Sequence, residues 1–326
     1  MKLGTLRLEN RYILAPMQNI TTGPYRRFCR KFQKIGLVSV PMLYTKRIEK
    51  NPETVAHDLS KIEEERPISV QLISSDPLSL KKSIDYLESY KFDVLDINAG
   101  CPSKRAIKAK EGGYLLKDLE RLENLIKIAV KSSSKPVSLK IRIGFENSNN
   151  IKELAEIVNN SGIDFLTVHA RTVKSFFESN PLNLDVVKKL KKNLIIPLVG
   201  NGDISSPIAA KYFIDYTNVD ALMIGRESMG NPQIFNQIHG YFTTGKEILF
   251  KNNKKIMKQN IEIYKRCLDE FLNGIILPRN INEYKFMELK RNSIWLAKSI
   301  KNSAIIRKQI NNSKNLEQLE FVLNNM

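Results

Sequence analysis

The stretch DVLDINAGCPSKRAIKAKEGGYLLKDLERLENLIKIAVKSSSKPVSLKIRIG, Asp93 to Gly144, contains one full unit of the fold. It opens on an apolar run that breaks at Gly100. It then passes through the pattern LERLENLIKIAVKSS, whose apolar residues recur at three- and four-residue spacing, and returns to an apolar run at Pro136–Gly144. This spacing predicts strand, helix, strand, and two strands joined through a helix lie parallel in one sheet.

The same unit recurs along the chain. Strands are expected at Tyr12–Met17, Leu37–Met42, Pro67–Leu72, Asp93–Gly100, Pro136–Gly144, Phe165–Arg171, Ile196–Asp203 and Ala221–Arg226, with helical patterns such as SLKKSIDYLESY between them. Eight alternating units closing on themselves predict an α/β fold, a (β/α)8 TIM barrel whose chemistry sits at the C-terminal ends of its strands. An open doubly wound sheet is the rival architecture. It would carry a GxGxxG turn after its first strand, and none stands there.

Beyond about Gly240 the strand signals stop. Helical stretches rich in Lys, Asn and Ile take over, among them KIMKQNIEIYKRCLDEFL and NEYKFMELKRNSIWLAKSI. The expected division is a barrel domain over residues 1–240 and a smaller, all-helical C-terminal domain over residues 245–326.

Composition narrows the partners. A chain of 326 residues, 42% of them hydrophobic, can bury a sizeable core. Lys and Arg number 52 against 34 Asp and Glu, a formal charge of +18. Such a field attracts polyanions such as nucleic acid, although a solvated lysine-rich surface has the same composition. Cys29, Cys101 and Cys267 lie far apart without CxxC spacing, which argues against a disulfide framework or a zinc site. No metal and a reducing compartment are expected. No apolar run reaches the ~20 residues of a membrane span, and the opening MKLGTLRLENRYILAPM is too short and too charged for a secretory signal. The expectation is a soluble, cytoplasmic monomer.

Polar residues stand at the exit of almost every expected strand: Gln18, Gln71, Asn98 and Cys101, Lys140 and Arg142, His169 and Arg171, Asn201 and Asp203, Gly225 and Arg226. In a barrel they converge on one mouth, and strand alternation turns Lys140 with Arg142, and His169 with Arg171, to a common face. Cations so placed require an anionic ligand. The turns VGNGD and IGRESMGNP end the last two strands, where such barrels hold phosphate. Gly200, Gly202 and Gly225 admit close backbone approach there, and Arg226 offers a fork of donors. A phosphate-bearing cofactor is expected. The remaining donors suit a flavin: Gln71 for the pyrimidine edge, Lys140 for the charge near N1 and O2, and Pro16 with Met17 against the ring. Taken singly, each has a plainer reading: Met17 as core filler, His169 as a core histidine, Cys101 as an inert buried thiol.

The motifs APM, VQL, DINAGCPSKRAIKAKEGGYLL, KIRIG, VHART, GNGDI and IGRESMGNPQIF stand in the order and approximate spacing of the tRNA-dihydrouridine synthases. From Tyr12 to Phe235 the chain resembles that family, and its helical tail resembles the family's RNA-binding domain. The resemblance implies an FMN enzyme that reduces the C5–C6 double bond of particular uridines in tRNA, with NADPH reloading the flavin. It implies that Pro16, Met17, Gln18, Gln71, Lys140, His169, Asn201, Gly202, Asp203, Gly225 and Arg226 hold FMN. Asn98, Arg142, Arg171 and Phe177 would contact the uracil, and Cys101 would be the general acid. Hydride arriving at C6 builds enolate-like charge on C5 and O4, so a proton must reach C5 from the ring's other face, which a thiol on a loop can deliver.

Lys104 and Arg105, just after that thiol, would meet phosphates beside the target base, and Gly112 with Gly113 would let the loop move. Two departures from the family pattern are visible: Val173 where a second basic residue is usual, with Lys174 beside it, and Phe177 where a tyrosine is frequent. Cations of the tail, Lys251, Lys258, Arg279, Lys290 and Arg307 among them, would grip the tRNA. The residues leave two other readings open: a flavin barrel acting on a free pyrimidine, as a dihydroorotate dehydrogenase does, and a non-enzymatic RNA-binding protein that keeps the barrel as scaffold.

Overall fold

The structure, a computed structural model, describes residues 1–178, 180–248, 252–277, 280–298 and 300–325, so Lys251 and Arg279 lie outside the described residues. It opens with an antiparallel hairpin, β1 (Lys2–Leu3) and β2 (Leu6–Arg7), turned at Gly4 with φ +57°. Strands this short display no period in a sequence. Leu3 and Leu8 seal the N-terminal end of the barrel against Ile13, Val94, Phe165, Val199 and Ala221.

The barrel strands follow as β3 (Tyr12–Leu14), β4 (Val38–Ser39), β5 (Leu43–Tyr44), β6 (Ile68–Ile73), β7 (Val94–Ala99), β8 (Val137–Arg142), β9 (Phe165–His169), β10 (Leu198–Asn201) and β11 (Ala221–Ile224). They pair in parallel in the order β3-β11-β10-β9-β8-β7-β6-β4, with β5 also on β6. A parallel bridge from Ile13 to Leu37 brings the two edges together, with Leu14 N donating to Leu37 O at 2.9 Å. The sheet curls into a barrel and is not the open rival. The second strand, expected unbroken over Leu37–Met42, is instead split into β4 and β5. The register on β6 shifts by one residue across Pro41, from Ser39 opposite Ser69 to Leu43 opposite Leu72, so one residue bulges out and the ladder is interrupted there.

Register is pinned at the N-terminal end of the barrel by a recurring device. Asp93, Asp164 and Asp220 stand immediately before β7, β9 and β11. Each donates its own N–H to the carbonyl of the first residue of the preceding strand, respectively Ile68, Val137 and Leu198. Each also accepts that residue's N–H on its carboxylate, at 2.8, 3.0 and 2.7 Å. A slip of one residue would break both bonds and turn every polar strand end away from the mouth. The connecting helices start at side-chain caps: Asp76 accepts from Ser79 N at 2.8 Å ahead of Pro77, and Ser206 from Ala209 N at 3.1 Å ahead of Pro207.

After β11 a helix, Ile234–Thr244, runs past residue 240 and stops at Gly245, φ +70°. The helices Lys254–Leu272, Ile281–Leu296, Ser303–Asn312 and Leu316–Asn324 follow. They pack on the first barrel helix, Gly23–Lys31, and one hydrophobic core runs through both. Close approach decides the residue at Gly23, where a Cβ would lie 2.0 Å from the Phe271 ring. Phe28 and Tyr264 meet at 5.4 Å between centroids, and Tyr25 meets Trp295 edge-on at 5.9 Å. Buried Glu288 accepts from Thr22 Oγ1 at 3.0 Å and from Tyr264 OH at 2.5 Å. The single tryptophan is therefore a packing residue, and Cys29 and Cys267 are buried core. Among the described residues no helix is long and apolar enough to cross a membrane.

Two stability outcomes are expected. Phe271→Ala removes a fully buried ring between barrel and tail and should cost about 3–5 kcal/mol in urea denaturation. Asp220→Ala leaves the buried Leu198 N–H without its side-chain acceptor and should cost about 1–3 kcal/mol by the same measurement.

Candidate active site

Along each strand alternate residues face the barrel interior, which changes character from end to end. The lower layer is apolar: Ile13, Leu37, Val94, Phe165, Val199 and Ala221. Above it come hydroxyls, with Ser69 Oγ donating to Ser39 Oγ at 2.8 Å, and then Gln71, Asp96, Asn98, Ser138, Lys140, His169 and Asn201. Of these, Gln71, Asp96, Asn98, Ser138 and Asn201 are buried.

Hydrogen bonds join several of them into a chain. Ser138 Oγ donates to Asp96 Oδ1 at 2.7 Å, and Gln71 Nε2 donates to Asp96 Oδ2 at 2.6 Å. Asn98 Nδ2 donates to Gln71 Oε1 at 2.8 Å, and Asn98 Oδ1 receives the backbone N–H of Gly100 at 3.1 Å and of Cys101 at 2.9 Å. The segment after β7 is thereby folded back over its own strand end. The half-buried Cys101 thiol faces Ser103 Oγ at 3.4 Å, while Ser103 caps the helix Lys104–Lys108 through Ala106 N at 3.2 Å.

The expected mobility of Gly112 and Gly113 has a steric counterpart. Gly112, φ +59°, would place a Cβ 2.9 Å from Cys101 Cβ, and Gly113 would place one 2.7 Å from both γ carbons of Val173. Val173 is buried beneath the cysteine loop, so packing explains why an apolar residue stands there. Its neighbour Lys174 pairs with Glu146 at 3.5 Å.

Positive charge concentrates on the other side of the mouth. Burial pushes the Lys140 ammonium down to about 8, against the pull of Asp96 and reinforced by Arg142. Burial, then the Arg171 charge, lowers Arg142 to about 10, and its guanidinium donates to Thr172 O at 2.7 Å. His169 is held neutral, far below its usual range, by burial and then by Lys140, Arg142 and Arg171. Asp96 is driven the other way: burial raises its carboxyl to about 6, with the Ser138 and Gln71 hydrogen bonds opposing. Asp203 lies between Arg171, which it binds through both oxygens, and Arg226, whose Nη2 donates to it at 2.7 Å. The hydrogen bond from Arg171 holds the Asp203 carboxyl below the usual range.

The other expected residues divide. Asn201 is fixed by its Nδ2 bond to Met223 O at 2.7 Å and accepts from Lys140 Nζ at 3.4 Å. A Cβ on Gly225 would lie 3.4 Å from Met17 Sδ, so Met17 and Gly225 face each other across β3 and β11. Pro16 precedes it in the same turn, where Met17 N donates to Thr21 Oγ1 at 3.1 Å, and Gln18 is exposed at the rim. Gly202, φ +133°, sets the direction of Asp203. Arg171 is engaged with Asp203 and with Asn180 O, so its guanidinium belongs to the Asp203 cluster. Phe177 is 69% exposed on the loop after β9 and does not pack into the mouth. Lys104 is exposed, and Arg105 stacks its guanidinium 3.8 Å above the Tyr44 ring.

Sequence reasoning gives no role to Ser138, Ser103, Tyr44 or buried Glu111, and no part in the chemistry to Asp96. Its one usable signal was that Asp96 shares a strand face with Asn98. Among the described residues no group of three or more His, Cys, Asp and Glu side chains is placed to hold a metal ion.

Residues 13–325 match the family model described as dihydrouridine synthase. A Pasteurella multocida protein described as tRNA-dihydrouridine synthase B is 39% identical over 241 residues, 72% of this chain and 70% of its own. The protein so described from Vibrio vulnificus is 33% identical over 293 residues, 87% of this chain and 89% of its own. The one from Escherichia coli is 33% identical over 251 residues, 75% of this chain and 76% of its own. Among solved structures, a morphinone reductase mutant in complex with tetrahydroNAD matches with a TM-score of 0.55 over 73% of this chain and 89% of its own; at 12% identity this is a likeness of fold. Since the family match extends from the first barrel strand to the last helix, the chain belongs to the dihydrouridine synthase family.

Proposed function

We propose that this chain is a tRNA-dihydrouridine synthase: an oxidoreductase that binds FMN in the barrel mouth, takes its electrons from NADPH, and saturates the C5–C6 bond of uridines in tRNA. The observation that carries the reading is a half-buried thiol, Cys101, tied by Asn98 to the rim of a mouth lined with Lys140, Arg142 and His169.

The residues present fit the cofactor. His169 Nδ1 is buried without a partner, and the Lys140 ammonium makes one long hydrogen bond, at 3.4 Å. The ammonium needs an acceptor and the imidazole nitrogen a partner, and a flavin ring carries both acceptors and a donor along its pyrimidine edge. In this reading Gln71, Lys140, His169 and Asn201 hold the ring, Pro16 and Met17 lie against it, and Gly202, Gly225 and Arg226 hold the phosphate, Asp203 serving the cofactor site by fixing the Arg226 guanidinium, with Gln18 at the rim. When bound and reduced, FMN would supply hydride to C6 of the uracil.

The chain's own residues do the rest. Asn98 and Arg142 orient the base, and Arg142 offsets the negative charge that develops on the base oxygen. Cys101 gives its proton to C5 and is left as a thiolate beside Ser103 Oγ. Arg171 holds Asp203 in place, and Phe177 offers an exposed ring next to the entering nucleotide. A uridine must leave its stack to reach this depth, which costs a few kcal/mol unless it already lies unpaired. Lys104 and Arg105 stand where flanking phosphates would pass.

The C-terminal helices supply further grip. Lys265, Lys285 and Arg291 are paired within the tail to Glu262, Asp269 and Glu288, and Lys290 donates to Ser313 O at 2.7 Å. Lys254, Lys255, Arg307 and Lys308 are exposed and are the better candidates for phosphate contact.

The decisive experiment maps dihydrouridine in tRNA from cells lacking this protein. Loss at one or a few positions is expected, restored by the parent gene and not by Cys101→Ala; an unchanged map overturns the reading. In vitro, Cys101→Ala should lower single-turnover tRNA reduction by about 10²–10⁴-fold while leaving the bound flavin content unchanged. Binding of tRNA should weaken with salt, each phosphate contact adding about 0.7–0.9 to the log–log slope. A flat salt profile would remove the tail from RNA recognition.

A further inference from the structure

The hydrogen-bond chain at the end of β7 admits only one set of amide orientations. Two backbone donors, Gly100 N and Cys101 N, converge on one terminal atom of Asn98, so that atom is the oxygen. The Asn98 nitrogen then faces Gln71, whose near atom must accept and is Oε1. The Gln71 nitrogen is left pointing at Asp96 Oδ2, and the second Asp96 oxygen receives the Ser138 hydroxyl. All four side chains are buried, so water cannot rescue a flipped amide. Asn98 has both lone pairs of Oδ1 occupied, and its second Nδ2 hydrogen is engaged only by the weak acceptor Met42 Sδ at 3.7 Å. Toward a base it is therefore a donor, fit for a carbonyl oxygen and not for an amino group.

We propose that Asp96 is a positioning residue: its carboxylate orients Gln71, Gln71 orients Asn98, and Asn98 holds the Gly100 and Cys101 amides so that the thiol is presented in one place. The proposal rests on the function assigned above in so far as it concerns the rate, and on geometry alone in so far as it concerns the loop. Strands β6 and β8 flank Asp96, and the groups facing it are Gln71 from the first and Ser138 and Lys140 from the second. The relay needs an acceptor on the Asp96 oxygen that faces Gln71, while the other oxygen faces the Ser138 hydroxyl.

The test uses the full-length, flavin-loaded protein with two variants. Asp96→Ala cuts the relay. Asp96→Asn can preserve it, its oxygen on Gln71 and its nitrogen on Ser138 Oγ. For Asp96→Ala the expected result is hydrogen exchange at the Gly100 and Cys101 amides at least 10-fold faster, and kcat for tRNA at least 10-fold lower with KM within about 2-fold. Asp96→Asn should restore most of both. Parent-like exchange at both amides in Asp96→Ala overturns the proposal, as does exchange in Asp96→Asn as fast as in Asp96→Ala. If Asp96→Ala does not fold, Gln71→Leu, which cuts the relay at its next link, is read by the same exchange criterion. If the parent does not act on tRNA, the function assigned above fails, and the exchange rates alone decide on the relay.

Discussion

The structure is organised around an excess of positive charge at one end of a closed barrel. Lys140, Arg142, Arg171 and Arg226 gather within a mouth whose nearby carboxylates are Asp96 and Asp203. Bringing charge out of water is costly, and the way each group responds identifies its place. Lys140 loses proton affinity, His169 stays neutral, and Asp96 holds its proton to higher pH than a solvated carboxyl would. Arg171 and Arg226 share the Asp203 carboxylate. The electrostatic imbalance is therefore localised on Lys140, Arg142 and His169, next to the loop that carries the thiol.

Positions, as well as charges, are set from a distance. The aspartates at the N-terminal end of the barrel hold three strand pairs in register, and register determines which side chains are level at the other end. The hairpin seal beneath the apolar layer keeps that end closed, so the interior opens one way. At the open end the amide chain from Asp96 to Cys101 does for the loop what the aspartates do for the strands: it converts a buried carboxylate into a fixed backbone. Gly112 and Gly113 complete this arrangement from the other side, because a larger residue would drive Cys101 or Val173 away.

The C-terminal helices are built into the molecule rather than hung from it. Their contact with the first barrel helix uses aromatic rings, a glycine and the buried Glu288, whose partner Thr22 follows closely on the turn that holds Pro16 and Met17. Several tail cations that look alike in the sequence serve different ends once folded. Lys285 and Arg291 neutralise Asp269 and Glu288, while Lys254 and Lys308 remain at the surface.

Much of this was legible in the chain. The alternation of apolar runs and amphipathic stretches determined eight barrel units, because a strand's period of two and a helix's period near four are local properties. The motifs at the strand ends, DINAGCPSK above all, determined where the chemistry would lie. Tertiary structure alone decided the rest. The second strand splits where its register on β6 shifts by one residue, and Val173 reads as a lost cation until Gly113 is seen packed against it. Arg171 and Arg142 are alike on paper, yet one is claimed by Asp203 and the other by Thr172. Which amide atom of Gln71 or Asn98 points where is written nowhere in the sequence. It follows from two backbone N–H groups that the turn after β7 folds back onto Asn98, and from one carboxylate that the pairing of β6 with β7 sets 2.6 Å from Gln71.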